Sequence, residues 1–458
     1  MKKTVMTAVT LAWCSWPCLG QAVGEGPLPG PLVTGNSVEL CLNSRYSQHS
    51  LSGTATAQHI SNVVWAAGRM PVTGTRRDIH VMTRAGTFLY DPNGHSLTRY
   101  SNEVTNDGAF AIRYEADRIF DAGAMMMPAM LAAASLCNSP LSPMASCPKG
   151  MGYPRTRLIL GVQPGKALTG QLVVHSSVQE GQTGWLPDPC TTGDNSLEQV
   201  LAHLAYGSRF VQTDLTDEQV SQILWAGYGC SAHMTTNGRA GLTVPSAMAN
   251  YYLTGTIYLV DGTGVYRYVN RNPATNLATR DHRLEAVTPS SVGGRRQFAA
   301  DDANLPDARA TLQSAVSGLP GAPCYAVLCL NSANVGQEYA QLETGFVAGN
   351  MLIQASAIGL GCHFRPGLTA AQQKAVQSAT SIPAANVPQV IVSLGPLLAW
   401  DADQDGTVDL SDLACLSRSW LASRTQAEYD PYADIDRNGV VNTADLSLLG
   451  AHWLETVP

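Results

Sequence analysis

Charge is sparse in this 458-residue chain, and several familiar catalytic signatures are missing from it. Charged residues make up 14% of the sequence and apolar residues 45%, a balance typical of a globular protein rather than a disordered one. The chain has no basic stripe, so nothing in it indicates nucleic-acid binding. It also contains no Cys-x-x-Cys pair, no Gly-x-Ser-x-Gly elbow and no assignable pair of glycosidase carboxylates. The sequence therefore carries no direct signature of a dithiol oxidoreductase, a serine hydrolase or a glycosidase.

Long apolar runs are missing as well. The N-terminal apolar stretch from Val5 to Leu19 follows Met1-Lys2-Lys3 and precedes Gly20-Gln21-Ala22, which gives the three parts of a secretory signal peptide. It has no twin arginines, so we expect a signal of the Sec type. We expect residues 1–22 to be removed, the mature chain to work outside the cytoplasm, and no later segment to span a membrane.

Eleven cysteines are present, and two of them lie within the predicted signal peptide. The remaining nine are an odd number, so at least one thiol stays outside any disulfide. Cys137 and Cys147 flank a loop rich in proline and serine and form the more plausible bridge. Cys324 and Cys329 lie five residues apart in a strand-like run, so we expect them to face opposite sides of a sheet and not to pair.

Two acidic loops repeat near the C-terminus, DADQDGTVDLSD at 401–412 and DIDRNGVVNTAD at 434–445. Each has oxygen-bearing side chains at positions 1, 3, 5, 9 and 12 and a glycine at position 6, a spacing that folds a chain around Ca²⁺. The first loop has five acidic side chains and the second three, so we expect the first to bind calcium more tightly. The predicted ligands are Asp401, Asp403, Asp405, the carbonyl of Thr407, Asp409 and Asp412, and then Asp434, Asp436, Asn438, the carbonyl of Val440, Asn442 and Asp445.

An amphipathic segment follows each loop at a constant shift of 33 residues. Leu413, Leu416, Trp420 and Leu421 match Leu446, Leu449, Trp453 and Leu454, and their helical spacing predicts that the two stripes pack together. Residues 398–458 thus resemble a type I dockerin, a duplicated calcium module. The resemblance implies a secreted bacterial protein, a cohesin partner and an association with polysaccharide-degrading assemblies. Such modules often carry a Ser-Thr-type pair at positions 10 and 11, where this chain has Leu410-Ser411 and Thr443-Ala444.

An older duplication is visible in the larger part of the chain. HISNVVWAAG from His59 matches QVSQILWAGYG from Gln219, AGAMMMPA from Ala122 matches AGNMLIQA from Ala348, and both copies close on Leu-Gly. The shift grows from 160 to 234 while the order is kept, so two diverged copies of one α+β unit are expected, joined through residues 165–193. The methionine run at 125–127 has helical spacing and is expected in the core.

The second copy carries LTDEQVSQILWAGYG, then VPSAMAN at 244–250, then ETGFVAGNMLIQASAIGLG at 343–361. In this order the motifs resemble flavin-dependent nitroreductases, most closely the branch that includes azoline-forming dehydrogenases. The resemblance implies an α+β fold whose tandem halves form an intrachain pseudo-dimer, followed by the small all-α calcium module. The expected units are a first half at 23–164, a linker at 165–193, a second half at 194–396 and the dockerin at 398–458.

The family resemblance also implies a flavin site shared between the halves. Arg45 and Ser47 of the first half match the Arg-x-Ser that holds the FMN phosphate in the family, and Pro245, Ser246 and Ala247 of the second half match the turn beside the flavin. Lys166 or Arg155 can join Arg45 at the phosphate. The turn Gly359-Leu360-Gly361 is also placed beside FMN in the family, although it lies in the half that would serve the other cleft.

Two functions follow as expectations. The first is a secreted FMN-dependent oxidoreductase of nitroreductase type that acts on a small molecule and is tethered by its dockerin. The alternative is a non-catalytic scaffold that binds a ligand or partner and is delivered by the same module, within an assembly that degrades polysaccharide. Each half also offers a histidine near arginines, His80 near Arg76 and Arg77 and His233 near Arg239, where structural roles are more common than substrate binding.

Overall fold

The computed structural model describes residues 23–47, 51, 53–106, 108–137, 144–150, 155–162, 174–235, 238–272, 276–287, 307–398, 400–403, 406–423, 429–430, 432–436 and 439–456. The predicted signal peptide, Lys166 and two of the predicted calcium ligands, Asp405 and Asn438, lie outside these residues. The same holds for the side chains of Cys137, Cys147 and Arg155.

The described residues of the first half form one antiparallel sheet and three helices. Its helices are α1 (Val38–Ser44), α2 (Ala57–Arg69) and α3 (Ile119–Cys137). Its strands are β1 (Gly26–Pro27), β2 (Arg77–Thr83), β3 (Gly86–Asp91), β4 (Ser96–Ser101), β5 (Phe110–Ala116), β6 (Met144–Gly150) and β7 (Arg155–Val162). They form a seven-stranded sheet in the order β1-β4-β3-β2-β5-β7-β6.

The second half repeats this plan with additions. Its helices are α4 (Leu197–Ala202), α5 (Asp217–Tyr228), α6 (Ala308–Ala315), α7 (Glu338–Ala357) and α8 (Ala370–Thr380). Its strands are β8 (Cys230–Met234), β9 (Ala240–Leu242), β10 (Ile257–Asp261), β11 (Gly264–Asn272), β12 (Asn276–Ala286), β13 (Cys324–Asn331), β14 (Gly361–Pro366) and β15 (Asn386–Gly395). A six-stranded sheet has the order β12-β11-β10-β13-β15-β14, and β8 and β9 form a separate two-stranded ribbon.

Matching hydrogen bonds recur in the two halves. Thr56 and Thr216 cap α2 and α5 in the same way, each as part of a capping box. In the first half the His95 ring is hydrogen bonded to Ser61 and Tyr90, each at 2.8 Å. In the second half the His282 ring is hydrogen bonded to Ser221 at 2.7 Å and to Tyr268 at 2.8 Å. Both serines also bond a proline carbonyl, that of Pro29 or Pro187. Equivalent residues therefore hold equivalent positions, as the sequence repeat predicts.

One continuous core joins the halves, and α3 packs on α7 at its centre. A Cβ added to Gly123 would lie 2.2 Å from the Leu342 carbonyl oxygen, and one added to Gly345 would lie 2.2 Å from the Phe120 oxygen. No larger residue fits at either position without a backbone shift, so these glycines bring the two helices into close contact. A second core cluster lies under α6 and α8, against the other face of the six-stranded sheet.

Helix α3 contradicts the expectation that long apolar segments are missing from the chain. Its window Ile119–Leu136 is long and apolar enough to cross a membrane, although no such segment was predicted. Because 94% of this window is buried inside the protein, it has the character of a core helix. Met125, Met126 and Met127 are fully buried within it, which confirms their predicted place in the core.

The cysteines agree with their predicted positions as far as the structure describes them. Cys324 lies in the main core and Cys329 in the second cluster, so the two face opposite sides of the sheet. The seven described cysteine side chains form no disulfide with one another. The predicted bridge between Cys137 and Cys147 lies outside the described side chains and stays a prediction.

The C-terminal module consists of two loops, each followed by a nine-residue helix, α9 (Leu410–Arg418) and α10 (Thr443–Ala451). Leu416 and Leu449 are buried between them as predicted. The prediction is wrong for Trp420 and Trp453, which are 39% and 40% exposed. Leu421, Leu446 and Leu454 are exposed as well. Both helices end before the tryptophans, and Leu421 and Leu454 have φ of 62° and 65°, so the chain turns there and the helical spacing no longer applies to these four residues. Leu446 lies within α10, on its exposed side.

Candidate functional site

Two acidic centres in the C-terminal module have the same internal hydrogen bonds. Asp401 Oδ2 accepts from Gly406 N at 2.7 Å, and Asp434 Oδ2 accepts from Gly439 N at 2.8 Å. The last carboxylate of each loop, Asp412 or Asp445, accepts two backbone N–H groups. Gly406 and Gly439 have φ of +91° and +93°, a conformation that favours glycine and makes the sharp turn.

These bonds gather carboxylates from positions 1, 3 and 12 in each loop. The ligand atoms of Asp401, Asp403 and Asp412 lie within 4.8 Å of one another, as do those of Asp434, Asp436 and Asp445. Asp434 Oδ1 is buried without a hydrogen-bond partner. Three carboxylates this close repel one another unless a cation lies between them, so both centres suit a hard divalent ion.

The residues at position 9 have a second role. Asp409 Oδ1 accepts from Ser411 N at 2.7 Å, and Asn442 Oδ1 accepts from Ala444 N at 2.8 Å. Each side chain therefore caps the N-terminus of its helix. Their predicted part in calcium binding, directly or through water, stays a prediction, as do the carbonyl ligands of Thr407 and Val440.

The larger body brings Arg45 of the first half against the second half. Arg45 Nε donates to the Thr243 carbonyl at 2.9 Å, and Nη2 donates to the Leu242 carbonyl at 2.9 Å. Nη1 lies 3.4 Å from Ser47 Oγ. Thr243 is two residues before Pro245, so Arg45 of the first half contacts the segment that leads into the Pro245-Ser246 turn of the second half. Asn43 Oδ1 makes a further crossed bond by accepting from Ala232 N at 3.0 Å.

Arg45 belongs to a group of four arginines around the β8-β9 ribbon. Arg271 donates to the Ala240 carbonyl, Arg280 to those of Ser231 and Ala232, and Arg239 to that of Ala249. Arg45 and Arg271 are 2% and 1% exposed, and burial lowers the pKa of Arg45 to about 10. The Nε atoms of Arg271 and Arg280 are buried without a hydrogen-bond partner.

Among the described residues, none of these four guanidinium groups forms an ion pair. Their acceptors are backbone carbonyls, the Ser47 hydroxyl and one methionine sulfur, which carry no full charge. His233 lies in the same region and is bonded to Ser231, while burial, Arg45 and Arg280 lower its pKa to about 3. Buried cations without a counter-charge are costly, so this cluster fits an anionic group such as a phosphate.

A buried carboxyl is hydrogen bonded to the turn that follows this ribbon. Glu343 on α7 accepts from the Tyr228 hydroxyl at 2.5 Å, and burial raises the pKa of Glu343 to about 7. Ser246 bonds Glu343 and also accepts from Tyr251 N at 2.7 Å. Met248, Ala249 and Tyr251 all have φ near +53°, a strained conformation for residues with side chains, which often marks a functional loop. Pro245 is buried, and Ala247 begins this loop.

Gly359, Leu360 and Gly361 lie at the end of α7 and the start of β14. The next residue, Cys362, bonds Ala205 and Gly207, so this turn lies beside the second half's own entry segment. The structure thus does not tie it to Arg45. Of the other candidates, His80 is buried beside Glu115, Arg76 and Arg113 in an ion-pair network on the first sheet.

Sequence reasoning identified Arg45 and the Pro245-Ser246 turn, but not Arg271, Arg280 or Glu343. The arginines are carried by β11 and β12, which flank a stretch without any family motif. The signal that could have identified them is that both are basic residues in otherwise strand-like segments following the Pro-Ser-Ala turn.

Comparison with known proteins identifies both parts of the chain. The nitroreductase family matches residues 208–396, and the dockerin type I domain matches residues 399–452. The chain therefore carries a nitroreductase-family domain followed by a type I dockerin domain. No curated protein matches the chain.

Solved structures extend the likeness beyond the second half. A putative nitroreductase from Anabaena variabilis is similar with a TM-score of 0.50 and 12% identity, over 74% of this chain and 88% of its own. At this identity the likeness establishes the α+β nitroreductase-like fold over most of the chain. Two further structures are similar. A putative nitroreductase from Ralstonia eutropha has a TM-score of 0.36 and 20% identity, over 49% of this chain and 95% of its own. The E. coli microcin synthetase complex has a TM-score of 0.32 and 19% identity, over 43% of this chain and 70% of its own.

Proposed function

We propose that the body of this protein is an FMN-dependent oxidoreductase of nitroreductase type, in which the two halves act as an internal pseudo-dimer. The observation that carries the proposal is the arginine cluster at the crossed contact between the halves, in which Arg45 and Arg271 are buried. Arg45 comes from the first half and Arg239, Arg271 and Arg280 come from the second, and none has a carboxylate partner among the described residues.

The positive charge of the arginine cluster matches the negative charge of the phosphate of flavin mononucleotide. Arg45, Ser47 and Arg280 would hold its phosphate, because guanidinium groups match phosphate oxygens and the Arg280 Nε is still without an acceptor. Pro245, Ser246 and Ala247 would lie against the ring system, as the family resemblance implies. Gly359, Leu360 and Gly361 would serve the opposite cleft.

When bound, FMN would supply hydride transfer from a reduced donor and then to an electron-poor acceptor. The protein's own contribution is to position this chemistry and to manage protons. Glu343 is suited to the second task, because a carboxyl with a pKa of about 7 both holds and releases a proton near neutral pH. Its bond to Ser246 places that proton next to the Pro245-Ser246 turn.

One observation favours a second candidate, a non-catalytic binding scaffold. Arg45 already uses Nε and Nη2 on backbone carbonyls and is 2% exposed, so it also serves to hold the two halves together. In a scaffold the whole cluster would have only this structural role, and no flavin would bind.

For the C-terminal module we propose one Ca²⁺ in each loop and a cohesin-type partner. The support is the pair of carboxylate centres together with the dockerin match at 399–452. Dockerins occur in extracellular assemblies, and the N-terminal stretch has the pattern of a Sec-type signal peptide, so we propose a bacterial secreted protein delivered to an assembly that degrades polysaccharide.

The proposed activity is tested on the purified mature chain after incubation with FMN and removal of unbound flavin. Oxidation of a reduced nicotinamide in the presence of a nitroaromatic acceptor, in proportion to bound flavin, supports the oxidoreductase. Retained flavin without turnover of several donor and acceptor pairs rejects the catalytic role. A protein that retains no flavin favours the scaffold.

A further inference from the structure

A cavity of about 560 Å³ lies where the first half, the second half and the dockerin meet. It is separate from the arginine cluster around the β8-β9 ribbon and shares none of its residues. The first half contributes α2 and the edges of β2 and β3, the second half contributes the segment after α4, and the dockerin contributes its first calcium loop and residues 430 and 432. Its size suits a small organic ligand.

The wall from the first half is cationic. Arg77 lines the cavity, and its Nε and Nη2 atoms are buried without a hydrogen-bond partner. Arg69 lies beside it, with its guanidinium 5.0 Å from the centre of the Trp65 ring. Burial and the neighbouring Arg69 lower the pKa of Arg77, and Tyr90 raises it to a smaller extent. Two buried N–H groups without an acceptor are costly, so this wall is built to meet an anion.

Four aromatic side chains also line the cavity. Trp65, Tyr90, Tyr206 and Tyr432 all contribute to the cavity. Tyr206 is stacked on His363 with ring centroids 5.2 Å apart, which fixes the orientation of its ring. Rigid aromatic faces offer apolar contact to a planar ring at a small entropic cost. The cavity therefore combines an anion-binding wall with surfaces for an aromatic group.

The dockerin closes the cavity with its first calcium loop. Asp403, at position 3 of that loop, lines the cavity. A Cβ added to Gly406 would lie 2.1 Å from Arg209 Cδ, so the turn of the loop packs directly against the body. His203 and Asp430 make a second contact across the same boundary at 3.2 Å. Calcium in this loop would order the wall and neutralise the charge of Asp403, which otherwise repels an anion.

We propose that this cavity binds a planar aromatic compound bearing a carboxylate or a phosphate, and that calcium in the first dockerin loop strengthens this binding. Arg77 meets the anion, the aromatic side chains hold the ring, and the calcium loop closes the site. By thermodynamic linkage the ligand then raises the calcium affinity of the first loop by the same factor. The dockerin would thus complete a ligand site in addition to attaching the protein to its partner.

Isothermal titration of the whole mature chain with benzoate and with phenyl phosphate tests the proposal, in calcium and after chelation. Arg77→Gln is expected to weaken binding of the preferred probe roughly tenfold, the value of one charge-assisted hydrogen-bonded contact. Arg69→Gln, at an exposed position, is expected to weaken it less. The matched control Arg84→Gln removes the same charge at an exposed site outside the cavity and is expected to leave binding unchanged.

The two probes distinguish the anion, since preference for benzoate indicates a carboxylate ligand and preference for phenyl phosphate a phosphate. Cyclohexanecarboxylate, which keeps the anion without the aromatic ring, is expected to bind more weakly than benzoate. The proposal is overturned if neither probe binds the calcium-loaded protein, or if both arginine variants bind as tightly as Arg84→Gln. Equal affinity in calcium and after chelation overturns the coupling to the loop.

Discussion

Arg45 in the first half and Thr243 in the second are joined by a 2.9 Å hydrogen bond from Nε to the backbone carbonyl. This bond crosses 198 residues of sequence and brings an arginine of one copy to the turn of the other. The contact places the proposed flavin site at the junction of the halves, and the stability of that junction depends on how closely α3 and α7 approach.

Replacing Gly345 by alanine tests this close approach. The added Cβ would lie 2.2 Å from the Phe120 oxygen, so the helices must move apart, and we expect a loss of about 1 to 3 kcal/mol in the free energy of unfolding. Gly349→Ala on the same helix is the matched control, because its nearest contact would be 3.2 Å and the neighbour needs to move only slightly. Denaturant unfolding of both variants gives the comparison. Equal losses would show that the glycine contact does not set the helix distance.

Glu343 gives a prediction about pH. Burial raises the pKa of Glu343 from 4.5 to about 7, so the folded protein binds this proton more tightly than the unfolded chain does. The contribution of Glu343 to stability is therefore complete below pH ~4.5 and is lost as the pH rises towards ~7, by up to about 3 kcal/mol. Glu343→Gln keeps an acceptor for the Tyr228 hydroxyl and is expected to remove this loss.

The measurement for Glu343 is the free energy of unfolding of wild type and variant between pH 5 and 8. Glu180→Gln changes an exposed carboxyl and serves as the control, with the slope of the wild type retained. If the Glu343→Gln variant loses as much stability as the wild type between pH 5 and 8, the raised pKa of Glu343 is not the cause of the loss.

Substitution of Asp409, at position 9 of the first calcium loop, distinguishes a helix-capping role from a role in metal binding. Asp409 accepts from Ser411 N, as Asn442 does from Ala444 N in the second loop, so we expect Asp409→Ser to keep the cap and to change calcium affinity little. Asp412→Asn removes a central carboxylate and is expected to weaken the first site by at least roughly tenfold. Calorimetric calcium titrations measure both. If Asp409→Ser is as damaging as Asp412→Asn, Asp409 is a direct ligand.

Chelation tests how far the dockerin depends on its metal. The module has a small core, with Val408, Leu416, Val441 and Leu449 among its buried residues, so most of its stability must come from calcium. EDTA is expected to unfold residues 398–458 and to leave the body folded, since the main core contains no dockerin residue. Residue-level hydrogen exchange with and without EDTA shows this directly. Unchanged protection of α9 and α10 in EDTA would refute the calcium assignment.

Local patterns in the sequence predicted a good part of this structure. The Trp65 and Trp225 helices, the closing Leu-Gly strands and the two acidic loops each depend on residues close together in the chain. The exposed Trp420 could not be predicted, because helical spacing says nothing about where a helix ends. The likeness of His95 and His282 was hidden as well, since the first lies 34 residues after its serine and the second 61.

Contacts across the halves were the least predictable part of the site. Arg271 and Arg280 show no motif, and only the folded ribbon brings them near Arg45. Similarly, the pKa of Glu343 depends on its complete burial beneath a loop more than 90 residues earlier in the chain. Such properties come from tertiary packing, which a single sequence does not display.

Equilibrium titration of the mature protein with FMN, followed by quenching of flavin fluorescence, tests the central claim most directly. The account predicts saturable binding that Arg280→Gln weakens roughly tenfold through loss of a phosphate contact, whereas Arg84→Gln, at an exposed site, binds as the wild type does. No binding by the wild type, or a loss in Arg77→Gln with none in Arg280→Gln, would contradict a flavin site at the junction of Arg45 with the second half.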